Sequence, residues 1–118
     1  MNFLIAGRDT TAQSLSWLFY ELFQHPEHVE EMVKEINQVC KGGMLQYDDV
    51  KRLPYTQACV AEAIRLHPAV PKNGKQCVKD VVLHPEGPNA AGLPDILVRK
   101  GEWCGWSDHV MARRHDVW

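Results

Sequence analysis

The sequence predicts an α+β fold in which helices come first and dominate, followed by a small irregular antiparallel sheet. Two observations carry this. From Asn2 to Leu66 the apolar residues recur at helical spacing, and two of the segments open on a proline suited to a first helical turn, Pro26 and Pro54. After Pro68 the periodicity breaks. Pro71, Gly74, Pro85, Gly87, Pro88, Gly92 and Pro94 then punctuate short β-prone runs.

The first segment, Asn2 to Gln24, is a long helix with Leu15, Leu18, Phe19, Leu22 and Phe23 at helical spacing. Trp17 and Tyr20 place bulk on other faces, so it is expected to be covered on several sides. The second opens at His25-Pro26, with Glu27, Glu30 and Glu31 at the positive end of the helix dipole. Val29, Met32, Val33, Ile36 and Val39 form its apolar stripe, and Gly42-Gly43 is expected to stop it. Tyr47 to Leu53 reads as one short helical turn. Pro54 starts a third helix that ends at His67-Pro68, since a residue before proline avoids helical geometry. Strands are expected within Val78–Leu83, Ile96–Val98 and Trp103–Trp106, with a turn at Lys100-Gly101 and a surface loop from Pro85 to Pro94.

Composition narrows the functional classes. A net charge of −2 and scattered Lys and Arg give no sign of a nucleic-acid partner. The four cysteines, Cys40, Cys59, Cys77 and Cys104, form no Cys-x-x-Cys pair, and read as unpaired, mostly buried thiols in a reducing compartment. No metal site is expected from His25, His28, His67, His84, His109 and His115, which do not cluster at ligand spacing. The apolar N-terminal stretch is interrupted by Arg8, Asp9 and hydroxyl residues, so it reads as a buried helix and not as a membrane span or signal peptide. Neither a Gly-rich phosphate loop nor a Gly-x-Ser-x-Gly elbow is present.

Two places set charge in apolar helices. Arg8 and Asp9 are the only charges among the first twenty residues, within Ala6-Gly7-Arg8-Asp9-Thr10-Thr11. Glycine inside a helix costs about 1 kcal/mol relative to alanine, and threonine hydroxyls can bond a carbonyl one turn back. The stretch is expected to interrupt the helix and to place a proton donor beside a groove; a polar stripe facing another domain is the simpler reading. Glu62 and Arg65 are the only charges between Pro54 and Leu66. Spaced i and i+3, they are expected to pair and to be poorly exposed, against the simpler reading of a surface ion pair. Tyr55, Cys59, Glu62 and Leu66 share one face of that helix.

Together these features resemble the second half of the cytochrome P450 family, the haem-thiolate monooxygenases. Ala6 to Thr11 is similar to the family's oxygen-activating stretch in its long I helix. Glu62-Ala63-Ile64-Arg65-Leu66-His67-Pro68 is similar to the Glu-x-x-Arg K helix, and the segment from His25-Pro26-Glu27 resembles the J helix. Pro71 with Lys75 resembles the strand after the K helix, where the family usually has Arg in place of Lys75. Leu97 to Gly101 with Trp106-Ser107 fits the family's sheet region, and Met111-Ala112-Arg113 fits the stretch before its meander. The 70–75 stretch and the 85–94 insert resemble fungal fatty-acid and alkane hydroxylating members.

The resemblance implies a partial P450 fold, read as a single incomplete domain over 1–118. It lacks the N-terminal part, the usual membrane anchor and the loop that carries the thiolate cysteine, so no residue here is expected to ligate iron; Cys104 lies in the sheet region. It also implies haem b, NADPH through a reductase partner and a hydrophobic small-molecule substrate. Thr10 and Asp9 would serve oxygen activation and proton delivery. Gly7 would allow close approach. Ala6, Gly7, Thr10 and Lys75 would line the haem, with Lys75 on a propionate. Val70 would lie near the substrate, and Glu62 and Arg65 would be structural. A full-length eukaryotic member would sit at the cytosolic face of the endoplasmic reticulum; the segment alone assigns no localisation. The chain as it stands is expected to be inactive. The alternative is a truncated, non-catalytic helical interaction protein, and sequence beyond Trp118 would discriminate the two.

Overall fold

Helix α1 runs Asn2–Gln24, α2 runs Pro26–Cys40 and α3 runs Pro54–Leu66, with a 3-10 helix at Tyr47–Arg52 between the last two. The computed structural model describes residues 2–86 and 92–116; the central part of the expected 85–94 loop lies outside them. Helix α1 is a regular α-helix across Gly7–Thr11, which corrects the expected interruption. The reason is local: the Thr10 hydroxyl donates to the Ala6 carbonyl at 2.6 Å, one turn back along an unbroken helix.

The α2 stop also differs in detail from expectation. Lys41, with φ 47°, takes the left-handed position and its N–H bonds Asn37 O at 3.1 Å; Gly42 follows at φ 83° and Gly43 N–H bonds Cys40 O at 2.8 Å. The 3-10 helix begins with reciprocal capping by Gln46 and Asp49. Helix α3 ends as expected, with His67 N–H on Ala63 O at 2.8 Å just before Pro68.

The chain divides into two units. One holds the helices to Pro71 and the stretch from His109; the other is Lys72–Asp108. In the first, α1, α2 and α3 pack against one another. Among its described residues Leu18, Leu53 and Ala63 are the buried apolar side chains. The expected many-sided cover of α1 is not found: Phe19 is 68% and Phe23 89% exposed, because α3 meets α1 along the face that carries Leu18. The α2 stripe is half covered at Met32, Ile36 and Val39.

The second unit contains two separate two-stranded antiparallel ladders where one sheet is expected. Strand β1 (Asn73–Gln76) pairs with β4 (Trp103–Trp106), and β2 (Val81–Leu83) with β3 (Ile96–Val98). Register sets Lys75 opposite Cys104 and Val82 opposite Leu97. The expected strand at Val78–Leu83 is shortened to Val81–Leu83: residues 78 and 79 form a bend, and the Asp80 carboxylate accepts the Lys100 N–H at 2.8 Å. The turn at Lys100-Gly101 is present, with Gly101 at φ 90° and Glu102 N–H on Arg99 O. Among the described residues of this unit Val98 is the buried apolar side chain. A short helix α4, Asp108–Met111, precedes the C-terminal turns. No helix among the described residues is long and apolar enough to cross a membrane.

Candidate functional site

The Ala6–Thr11 stretch lies on a solvent-facing part of α1. Ala6, Gly7, Arg8 and Asp9 are exposed and Thr10 is half-buried. A Cβ placed on Gly7 would meet nothing within 4 Å, so this glycine has no packing reason within the described chain. Its helix-propensity cost of about 1 kcal/mol therefore purchases no contact here. The Thr10 proton is committed to Ala6 O, which leaves the hydroxyl oxygen able to accept a further hydrogen bond. Asp9 has one weak charged neighbour, Arg8 Nε at 3.9 Å, and its side chain is 67% exposed.

Glu62 and Arg65 come together as expected. Arg65 Nε donates to Glu62 Oε2 at 2.7 Å and Nη2 to Oε1 at 2.6 Å, a two-pronged pair. Arg65 Nη1 also donates to the Ala112 carbonyl, tying α3 to the C-terminal stretch of the same unit. The Arg65 side chain is 27% exposed but that of Glu62 is 55%, which corrects the expectation that both are poorly exposed. Glu62 faces an open hollow instead of a neighbouring helix. Arg65 holds the Glu62 carboxyl below its ordinary value against the opposing effect of desolvation.

That hollow, of about 400 Å³, is bounded by Leu18, Glu21 and Leu22 of α1, His25 and His28 at the α2 start, and Tyr55, Ala58, Cys59, Glu62, Ala63 and Leu66 of α3. The expected common face of Tyr55, Cys59, Glu62 and Leu66 is thus its α3 wall. At its side His67 bonds Glu21 at 2.6 Å and stacks on Trp17 with ring centroids 4.1 Å apart.

Three groupings escape the sequence reading. One is the His67–Glu21–Trp17 contact. The second is Glu35, which caps α3: its carboxylate accepts Tyr55 N–H at 2.8 Å, Thr56 N–H at 2.9 Å and the Thr56 hydroxyl at 2.7 Å. Desolvation would raise the Glu35 carboxyl, but these three donors outweigh it and hold the value below the ordinary one. The third is His25, Glu27 and His28, whose ligand atoms lie within 4.8 Å of one another, although the histidines were not expected to cluster. The His-x-Glu-His spacing at a helix start is the signal that could have found it.

Val70 is exposed at the end of the helical unit. Lys75 stands in β1 of the other unit, with Nζ 6.0 Å from the Trp106 ring centroid. The four thiols are free and half-buried. Burial pushes the Cys59 thiol up, and burial together with the Cys104 thiol does the same for Cys77.

These placements put a glycine, an acid and a carbonyl-bonded threonine on one open helical turn of α1, and a braced Glu-x-x-Arg pair on α3 of the same unit. The cytochrome P450 family model matches residues 1–118. The chain is 40% identical over 115 residues to the cytochrome P450 monooxygenase pvhE of Talaromyces variabilis, covering 98% of this chain and 21% of that one. It is 36% identical over 118 residues to cytochrome P450 94A1 of Vicia sativa, covering 100% and 21%. It is 34% identical over 120 residues to cytochrome P450 4F8 of Homo sapiens, covering 99% and 21%. The chain belongs to the cytochrome P450 family, and it spans about a fifth of the length of these curated relatives.

Proposed function

We propose that this segment forms one wall of the oxygen side of a haem-dependent monooxygenase that inserts one atom of dioxygen into a hydrophobic organic substrate. The observation that carries the reading is the open α1 turn: Gly7 without packing, and Thr10 with its proton on Ala6 O and its oxygen left as an acceptor. In this reading α1, α2 and α3 take the places of the I, J and K helices.

The residues of α1 fit a flat prosthetic group. An unpacked glycine leaves room for close approach, and Ala6 and Thr10 flank it one turn apart. When bound, haem b supplies dioxygen activation, with electrons from NADPH through a reductase partner. Ala6, Gly7 and Thr10 would line it, and Lys75 would pair with a propionate. The four thiols do not fit as iron ligand. They are half-buried, and burial raises the thiols of Cys59 and Cys77, which opposes the thiolate that ligation needs. We therefore propose that these 118 residues alone do not perform the reaction.

The rest is done by the chain's own groups. The Thr10 oxygen accepts a hydrogen bond from a water and so points that water's second proton onward. Asp9, exposed and weakly held, collects protons from solvent and passes them to this water. Glu62 and Arg65 brace α3 through Ala112, and Val70 lies toward the substrate. A full-length eukaryotic protein of this kind would act at the cytosolic face of the endoplasmic reticulum. The test is Thr10→Ala in the longer protein that carries this segment. Product formed per NADPH oxidised should fall while peroxide release rises; unchanged coupling contradicts the proton-delivery role.

A further inference from the structure

We propose that His25, Glu27 and His28 form a surface site for one divalent transition-metal ion of the imidazole-binding class, with Zn²⁺ as its representative. The site lies outside the α1 turn and uses none of its residues. One ligand atom from each of the three side chains lies within 4.8 Å of the others. A tetrahedral site with bonds of about 2.1 Å sets its donors about 3.4 Å apart, so small rotations of three exposed side chains close the difference. The ring centroids of His25 and His28 are 5.8 Å apart at a tilt of 47°, which lets one nitrogen of each ring turn toward a common point.

The fold prepares these ligands at the start of α2, with one outer partner from α3. Pro26 fixes the chain where α2 begins, so His25 precedes the first turn and Glu27 and His28 follow within it. His28 Nδ1 is bonded to the Tyr55 hydroxyl of α3 at 2.7 Å, which orients the ring and leaves Nε2 as the free donor. Glu27 Oε1 already stands 3.2 Å from His25 Nδ1. The positive end of the helix dipole opposes a cation here, and the Glu27 carboxylate offsets it. Two imidazoles and one carboxylate leave a fourth position for water.

The experiment is a calorimetric titration of Zn²⁺ into the chain, with His25→Ala, His28→Ala, Glu27→Gln and Tyr55→Phe variants checked for parental helix content. One binding event should require both histidines and vanish in either alanine variant. Tyr55→Phe, which touches only an outer partner, should weaken it by about 10- to 100-fold. Absence of binding by the parent overturns the proposal. So does unchanged binding in the double variant H25A/H28A, which would put the ion on thiols such as Cys77 and Cys104.

Discussion

Leu18→Ala should destabilise the helical unit far more than Phe19→Ala, its neighbour in sequence. Leu18 is 8% exposed on the α1 face that meets α3, whereas Phe19 is 68% exposed. Replacing leucine by alanine removes three carbon groups at about 0.8 kcal/mol each, or about 2.4 kcal/mol of transfer free energy. A sealed cavity would add to this, but Leu18 also lines the open hollow beside α3, so water can enter and the added cost is small. The expected loss is therefore about 2–3 kcal/mol, at the low end for such substitutions. Phe19→Ala should stay within about 0.5 kcal/mol. The assay is urea unfolding of the chain followed by helical circular dichroism, with both variants analysed at the parental slope. Equal losses from the two would refute the packing described here, as would a parent chain with no cooperative transition.

Three further outcomes follow from the same structure. Gly7→Ala should stabilise the isolated chain by about 0.5–1 kcal/mol in the same urea assay, since the added methyl meets nothing within 4 Å; destabilisation would show a packing role for this glycine. Glu35→Gln should lower stability near neutral pH by weakening the cap on α3. Because folding lowers the Glu35 value, its contribution is fully present above the ordinary carboxylate range, about 4.3, and is lost as pH falls through the folded value. The gap between parent and variant should therefore narrow in acid, and a gap that widens would contradict the sign. Mixing the chain with haemin, reducing it and adding carbon monoxide should give no thiolate-type absorption band; a stable band abolished by one Cys→Ala change would refute the account of the four thiols.

Helix positions were legible because proline and periodicity act locally. Pro26 and Pro54 start their helices and His67-Pro68 ends α3 where expected. Strand β1 was legible only through the family resemblance at Pro71 and Lys75: Asn73-Gly74-Lys75-Gln76 has no β-branched or apolar residue, and it is held by pairing with Trp103–Trp106 far along the chain. The pairing of Glu62 with Arg65 could be read from i, i+3 spacing, but exposure could not, because it depends on what packs over that face. The same limit explains Phe19 and Phe23, apolar by sequence and open in the fold. Threonine pattern suggested an interrupted α1, yet a hydroxyl bonded one turn back is compatible with an unbroken helix, and that geometry prevailed at Thr10. Glu35 was indistinguishable by sequence from the solvated acids of α2, since its partners lie 20 and 21 residues away.

In the proposed function the Thr10 hydroxyl, and not its bulk, serves proton delivery. The most direct test compares Thr10→Ser, Thr10→Val and Thr10→Ala in a full-length, haem-loaded version, measuring product and peroxide formed per NADPH oxidised. Serine keeps the hydroxyl and its bond to Ala6 O, whereas valine keeps the shape and loses both. The account predicts near-parental coupling for Ser and a shared loss of product with rising peroxide for Val and Ala. Coupling in Val that matches the parent would contradict it.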